Sequence, residues 1–154
     1  MFGKPVREYL ALQKWWLLAL AILGLLRIGL SIGGPAFPSV KWWTSTNLLG
    51  YAAAVYYGVA GYRRGYLFKQ LYPLALFHMI LFHALAILGI LLTIAGYPNL
   101  YATPEVMGSL NQWWHIGAHL TLGMAFAPLI GWGLASLAML VTRAVAPRPA
   151  AVAS

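Results

Sequence analysis

The chain has 154 residues, of which 62% are hydrophobic and only 8% are charged. A soluble domain carries about 25% charged residues because its surface faces water, so this composition excludes an ordinary soluble globule and indicates an integral membrane protein. Cysteine is absent, which excludes disulfides, thiolate metal sites and iron–sulfur clusters held by this chain.

The charged residues are strongly biased toward the basic side, with ten Lys and Arg against two acids, Glu8 and Glu105. In a soluble protein this balance would indicate nucleic-acid binding. Here the basic residues lie mainly at the edges of apolar runs, so they are interpreted as topology signals and contacts for anionic lipid headgroups. We therefore expect no nucleic-acid partner.

Four apolar runs are long enough to cross a bilayer, which requires about 20 residues of helix. The predicted spans cover residues 15–32, 46–62, 72–95 and 113–141, and the second is on the short side. The first run has no clean cleavage site after it, so it is interpreted as a retained helix. Pro73 is expected to open the third span, and Pro128 to kink or tilt the fourth.

The basic residues also predict the orientation of the spans. Eight of them lie on one side of the predicted spans. Lys4, Arg7 and Lys14 precede the first span, Arg63, Arg64 and Lys69 lie between the second and the third, and Arg143 and Arg148 follow the fourth. The opposite side has Lys41 alone. Because cytoplasmic loops carry the excess of Lys and Arg, we expect a multi-pass protein of the inner (cytoplasmic) membrane with both termini in the cytoplasm.

Tryptophan pairs and small residues predict how the helices sit and pack. The pairs, at the predicted helix ends, are Trp15-Trp16, Trp42-Trp43 and Trp113-Trp114; such rings anchor helices at the headgroup level. Small residues recur every four positions at Gly50, Ala54 and Gly58, and again at Ala127, Gly131 and Ala135. These stripes allow close helix packing in lipid. The predicted fold is therefore an all-α membrane four-helix bundle.

Outside the bundle, the sequence predicts one short helix and one tail. Thr103-Pro104-Glu105 is typical of a helix start, with Thr at the N-cap, Pro at the first position and an acid in the first turn. We expect a short interfacial helix there on the outer side. Residues 1–146 form a single domain, and the tail 147–154, rich in Ala and Pro, is expected to be disordered.

Ionisable residues inside apolar spans are expensive and point to function. Arg27 needs an anionic or carbonyl partner: this could be an acidic group from outside the chain, such as a haem propionate, or Glu105, or the outer headgroups. His115 and His119 are four apart and share a helix face, a spacing that suits Cu or Zn. His78 and His83 lie about 140° apart around the third span, so they cannot face one ligand.

The depths of the histidines decide which of them can act together. If the outer ends of the last two spans are level, His83 lies about 20 Å down and His119 about 9 Å. An offset on the order of 10 Å is too large for the two axial ligands of one haem. We therefore expect an outer half-site with His115, His119 and Arg27, and a deeper one with His78 and His83, each completed by another copy or another subunit. If the last helix began near Pro104, His115 and His119 would lie level with His83, but this start is disfavoured.

These residues lead to one functional hypothesis and two alternatives. A small four-helix protein with histidines resembles membrane cytochrome b subunits in outline, without a motif that carries residues across. The hypothesis is a membrane subunit of a respiratory or photosynthetic electron-transfer complex that binds haem b or a quinone through its histidines, a quinol headgroup needing both a donor and a base. The alternatives are a cofactor-free accessory subunit of a larger assembly and a membrane Cu or Zn site.

Overall fold

The computed structural model of the chain describes residues 2–33, 44–97 and 111–146. Helix accounts for 88% of these residues and there is no strand among them, so the all-helical prediction is confirmed. The long helices are α1 (Val6–Gly33), α2 (Thr46–Arg63), α3 (Phe68–Ile94) and α4 (Gln112–Val145). Their order and positions agree with the four predicted spans.

Three of these helices, α1, α3 and α4, are long and apolar enough to cross a membrane. The remaining helix, α2, has 18 residues, which include four tyrosines and an asparagine, and it is less apolar than the other three. One side of α2 is buried, since Ala53, Ala54 and Tyr57 are covered together with its glycines Gly50, Gly58 and Gly61. Its polar residues Asn47, Tyr51 and Tyr56 are exposed.

Two helices begin earlier than their apolar runs. Helix α1 starts at Val6, directly after Pro5, and Glu8 in its first turn forms an ion pair of 2.9 Å with Lys4. The helix therefore begins before its apolar run, which starts at Trp15. The prediction that Pro73 opens α3 was wrong. The helix starts at Phe68, because the Leu67 N–H donates to Gln70 Oε1 at 2.7 Å and so satisfies an early donor of the first turn.

Residues of the predicted small-residue stripes lie at the contacts of α2 with α4 and of α4 with α3. A Cβ atom placed on Gly58 would collide with the carbonyl oxygen of Ala135 and lie 2.9 Å from the backbone nitrogen of Met139. A Cβ on Gly131 would lie 3.2 Å from Ala75 of α3. Because lipid supplies no hydrophobic force between helices, such close van der Waals packing is what holds them together.

Helix α4 is not uniform along its length. It consists of an α-helical segment (Gln112–Ala118), a π-helical turn (His119–Gly123) and a second α-helical segment (Met124–Val145). Pro128 lies in the second segment, so the irregularity predicted from this proline occurs one turn earlier, at the π turn. π turns within α-helices are rare and occur frequently at functional sites.

Some predictions fall outside the described residues. These are the interfacial helix at Thr103-Pro104-Glu105, the pair Trp42-Trp43, Lys41 and the tail 147–154. The other two tryptophan pairs are described. Trp15, Trp113 and Trp114 are exposed, and the last two lie in the first turn of α4, which is the place expected of an anchor at a membrane boundary.

Candidate functional site at the histidine cluster

Three of the four histidines come together between α3 and α4. His83 Nδ1 lies 2.7 Å from His119 Nδ1, which is a hydrogen bond between the two helices. On the other side of His119, the ring of His115 is stacked at a centroid distance of 4.8 Å and an interplanar angle of 28°. The group formed by His83, His115 and His119 is called the histidine cluster below.

The cluster corrects the depth argument made from the sequence, which had placed His83 far below His119. That argument assumed that α3 and α4 end level with each other on the outer side, and they do not. His83 lies eleven residues before the end of α3 and His119 seven residues after the start of α4, or about 17 Å and 11 Å of helix rise. Since the two rings are in contact, the C-terminal end of α3 extends beyond the N-terminal end of α4.

Helix α4 begins at Gln112, so the contact between His83 and His119 does not come from the earlier helix start that was disfavoured. Helix α4 has 34 residues, which corresponds to about 51 Å against a bilayer core of about 30 Å. Its inner part is not left without neighbours: Trp132 Nε1 donates to the carbonyl of Phe68 at 2.8 Å, and Ala135 and Met139 pack against Gly58 and Gly61 of α2. These contacts cover part of the C-terminal half of α4.

The hydrogen bond in the cluster constrains the protons on both rings. One Nδ1 atom must donate and the other must accept. If both rings are neutral, the donor ring has a bare Nε2 and the acceptor ring carries its proton on Nε2. The Nε2 atom of His83 and the Nδ1 atom of His115 are buried and have no hydrogen-bond partner within the described residues. Buried polar atoms of this kind call for a ligand, an ion or a water.

Gly123 makes room for the cluster. A Cβ atom at this position would collide with the His83 ring, since it would lie 2.9 Å from Nε2 and 3.1 Å from Nδ1. Gly123 also ends the π turn that begins at His119. The turn therefore brings His119 to His83, and at its end Gly123 presents no side chain to the His83 ring. The sequence analysis missed Gly123, although its spacing of four from His119 places both residues on one helix face.

The geometry does not favour the metal chelate expected from His115 and His119. Lone pairs of imidazole nitrogens lie in the ring planes, so two nearly parallel stacked rings cannot direct them at one ion. Among the residues that the structure describes, no group of three His, Cys, Asp or Glu side chains has an arrangement that could hold a metal ion. The converging pair is His83 and His119, from different helices.

A porphyrin does not fit between His83 and His119 in this arrangement. The axial ligands of a bis-histidine haem lie on opposite sides of the iron, whereas these two Nδ1 atoms are in direct hydrogen-bond contact. The helices are also packed together on the inner side of the cluster, at Gly131 and Ala75. A haem at the cluster would therefore need one axial ligand from another chain, as the sequence analysis expected.

His78 has a different environment, as the angle between it and His83 predicted. It is 1% exposed and its Nδ1 atom lies 3.3 Å from the hydroxyl of Tyr57 on α2. Its Nε2 atom is buried, faces Gly50 and has no described hydrogen-bond partner. The sequence did not indicate Tyr57, because one tyrosine among the four of α2 carries no distinguishing pattern. The deeper half-site of His78 and His83 is therefore not formed within this chain.

A small cavity separates the two histidine environments. It has a volume of about 100 Å³ and its wall includes Gly50, which faces His78, and Phe82, whose ring is perpendicular to that of His83 at a centroid distance of 5.2 Å. Thr46 and Asn47, at the start of α2, form its polar end. This volume suits a few water molecules rather than an aromatic ring, since a cavity of about 150 Å³ is what benzene occupies.

Arg27 has a carbonyl partner, one of the two kinds that its charge requires, although the sequence did not predict which carbonyl. Its Nη1 atom donates to the carbonyl of Thr44 at 3.0 Å, just before the N-cap residue Ser45 of α2. It thereby ties α1 to the start of α2. The neighbouring Ile28 is buried in a cluster with Ile116 of α4, which brings α1 near the histidine helix, but no described contact joins Arg27 to a histidine. Glu105 lies outside the described residues.

Comparisons with protein-family models, with curated proteins and with solved structures found no match for this chain.

Proposed function

We propose that the chain is a four-helix transmembrane subunit of an electron-transfer complex and that it binds a quinone headgroup at the histidine cluster. The observation that carries the proposal is the convergence of His83, His115 and His119 between two apolar helices, with buried nitrogens that have no described partner. In this proposal the protein lies in the inner membrane, with both termini in the cytoplasm.

Charge supports this topology. The start of α1, the end of α2, the start of α3 and the end of α4 lie together at one end of the helices, since Phe2 stacks on Tyr72 and Gly61 faces Met139. That end carries Lys4, Arg7, Arg63, Arg64, Lys69 and Arg143. By the positive-inside rule it is the cytoplasmic end. The histidine cluster then lies in the outer half of the membrane.

A quinone reaches its site laterally from the bilayer, and one side of the cluster faces away from the other helices. His115 and His119 are half-buried, and Trp114, Leu120 and Leu122 beside them are exposed. A quinone carbonyl can accept a hydrogen bond from an imidazole N–H, and a quinol hydroxyl can donate to a bare imidazole nitrogen. The cluster offers both kinds of nitrogen, because its internal hydrogen bond forces the two rings into different roles.

The chemistry expected of such a site is proton exchange coupled to electron transfer. When a quinol is oxidised to a quinone, its hydroxyl protons pass to bases and its electrons pass to an oxidant. In this chain the imidazoles of His115 and His119 are the bases, with His83 holding His119 in orientation. The oxidant is a redox centre on a partner subunit, which agrees with a chain that has almost no mass outside the membrane.

Binding of a short-chain quinone analogue to the purified protein tests the proposal. The variant His119→Leu is expected to weaken binding at least about tenfold, which corresponds to about 1.4 kcal/mol and to the loss of one hydrogen bond. The control is His78→Gln, which removes an imidazole from α3 on a face away from the cluster, keeps a polar group near the Tyr57 hydroxyl and leaves binding unchanged. Equal weakening by both variants, or no binding to the unaltered protein, would refute the quinone site.

An absorption spectrum of the oxidised and the dithionite-reduced protein separates this proposal from the haem alternative. A reduced α-band that His115→Leu or His119→Leu abolishes would mean that the cluster binds haem b, with a second axial ligand from another chain. If neither quinone nor haem binds, and the chain remains stable only with other subunits or further copies of itself, it is a cofactor-free accessory subunit. Metal analysis of the same samples tests for Cu or Zn.

A further inference from the structure

A second site lies at the opposite end of the molecule from the histidine cluster. There a cavity of about 330 Å³ opens between the end of α2, the turn before α3 and the inner end of α4. Its lining residues are Tyr62, Tyr66, Leu67, Phe68, Met139 and Arg143. The volume lies at the lower limit of small-molecule sites.

The lining combines an apolar wall with two polar groups. Three of the residues are aromatic, and Leu67 and Met139 complete the apolar surface. The hydroxyl of Tyr62 is buried and lacks a hydrogen-bond partner among the described residues, so it has a donor to offer. Arg143, on the last turn of α4, is exposed at the same cavity and carries a guanidinium that cannot be deprotonated.

The charge around the cavity is positive. Arg63, Arg64 and Lys69 lie in the segments that form it, and none of the described residues in those segments is acidic. The described carboxylate at this end, Glu8, is already paired with Lys4 at 2.9 Å. Burial raises the pKa of the Tyr66 phenol, so this ring adds no negative charge at neutral pH. The ligand that fits is therefore anionic at one end and apolar at the other.

We infer that this cavity binds the headgroup of an anionic phospholipid of the inner leaflet, with the phosphate held by Arg143 and the Tyr62 hydroxyl. The acyl chains then run along the face of α4 that points away from the other helices, where Leu140 and Val141 are exposed. Basic pockets between transmembrane helices on the cytoplasmic side are typical binding sites for anionic headgroups. The inference rests on the proposed membrane orientation, but not on any ligand of the histidine cluster.

Native mass spectrometry of the purified full chain, with phosphatidylglycerol or phosphatidylcholine added, tests this site. The unaltered protein is expected to retain phosphatidylglycerol in preference to phosphatidylcholine. Arg143→Gln is expected to lower that retention about tenfold, and Tyr62→Phe by a smaller factor, because Arg143 contributes a positive charge as well as hydrogen bonds, whereas the Tyr62 hydroxyl is a neutral donor. The matched control is Arg7→Gln, which removes the same charge from the same end without touching the cavity wall.

Three outcomes would overturn the inference. If Arg7→Gln lowers lipid retention as much as Arg143→Gln, the lipid is attracted by the general charge of this end and not by the cavity. If inorganic phosphate displaces the lipid at comparable concentration, the site takes free phosphate. If Arg143→Gln leaves retention unchanged, the guanidinium holds no headgroup. Failure of quinone binding at the histidines would not affect any of these results.

Discussion

Replacing Gly58 with alanine is expected to loosen the contact between α2 and α4. The new methyl group would meet the carbonyl oxygen of Ala135 and would lie 2.7 Å from the Cβ of Ala138 and 2.9 Å from the backbone nitrogen of Met139. Two of these three atoms belong to the backbone of α4, so they cannot rotate away as a side chain could. The helices must move apart to admit the methyl group.

The expected cost follows from two opposing effects. Overpacking of a tight contact costs about 1–3 kcal/mol, and the rigid backbone partners place Gly58→Ala toward the upper end. Alanine is a better helix former than glycine by about 0.8–1.0 kcal/mol, which offsets part of this cost. The net loss of stability is therefore about 1–2 kcal/mol. A larger residue, in Gly58→Leu, is expected to disrupt the pairing of the two helices.

Unfolding of the purified protein in mixed detergent–SDS micelles measures the change. The matched control is Gly133→Ala on α4, where an added Cβ atom meets nothing within 4 Å. This control is expected to keep or slightly raise the stability, because it gains helix propensity without a collision. If Gly58→Ala is as stable as Gly133→Ala, the close approach of α2 and α4 is refuted.

Two further substitutions test individual hydrogen bonds in the same assay. Trp132→Phe removes the bond from Nε1 to the Phe68 carbonyl and is expected to cost about 0.6–1.7 kcal/mol, as interhelical hydrogen bonds in membranes do; unchanged stability would mean that this bond does not hold α3 and α4 in register. Tyr57→Phe leaves the Nδ1 atom of buried His78 without its partner and is expected to cost about 1–3 kcal/mol. The control is Tyr51→Phe, whose exposed hydroxyl should matter little; an equal effect of both variants would argue against the Tyr57–His78 bond.

Much of the helical architecture could be predicted from the residue pattern. Apolar runs placed the four helices, because a helix in lipid must be apolar over a known length. The four-residue spacing of Gly50, Ala54 and Gly58 predicted a packed face, because glycine and alanine are what allow two backbones to approach. The errors were at the ends of helices, as with Pro73, where capping by Gln70 and not hydropathy decides the first residue.

The candidate site could be predicted only in part. The sequence singled out all four histidines, because an imidazole within an apolar run is expensive and conspicuous. It could not show which of them meet, since that depends on the lengthwise offset of α3 against α4. Gly123, which shapes the site, shares a predicted helix face with His119 but was not singled out, and Tyr57, the partner of His78, carried no distinguishing pattern. Arg27 was noticed for its charge, but its bond to the Thr44 carbonyl depends on how the chain returns from α1 to α2.

The sequence by itself determined that this chain is made of apolar helices and that few ionisable residues, the four histidines and Arg27, lie within the apolar runs. Both follow from composition and from the positions of apolar residues along the chain, which can be read without knowing which helices pack together. The tertiary structure decided that His83 and His119 are partners and that His78 belongs with Tyr57. The physical reason is that helix–helix offset is set by small residues in contact, such as Gly58 on Ala135 and Gly131 on Ala75, which act across the bundle and leave no mark on hydropathy.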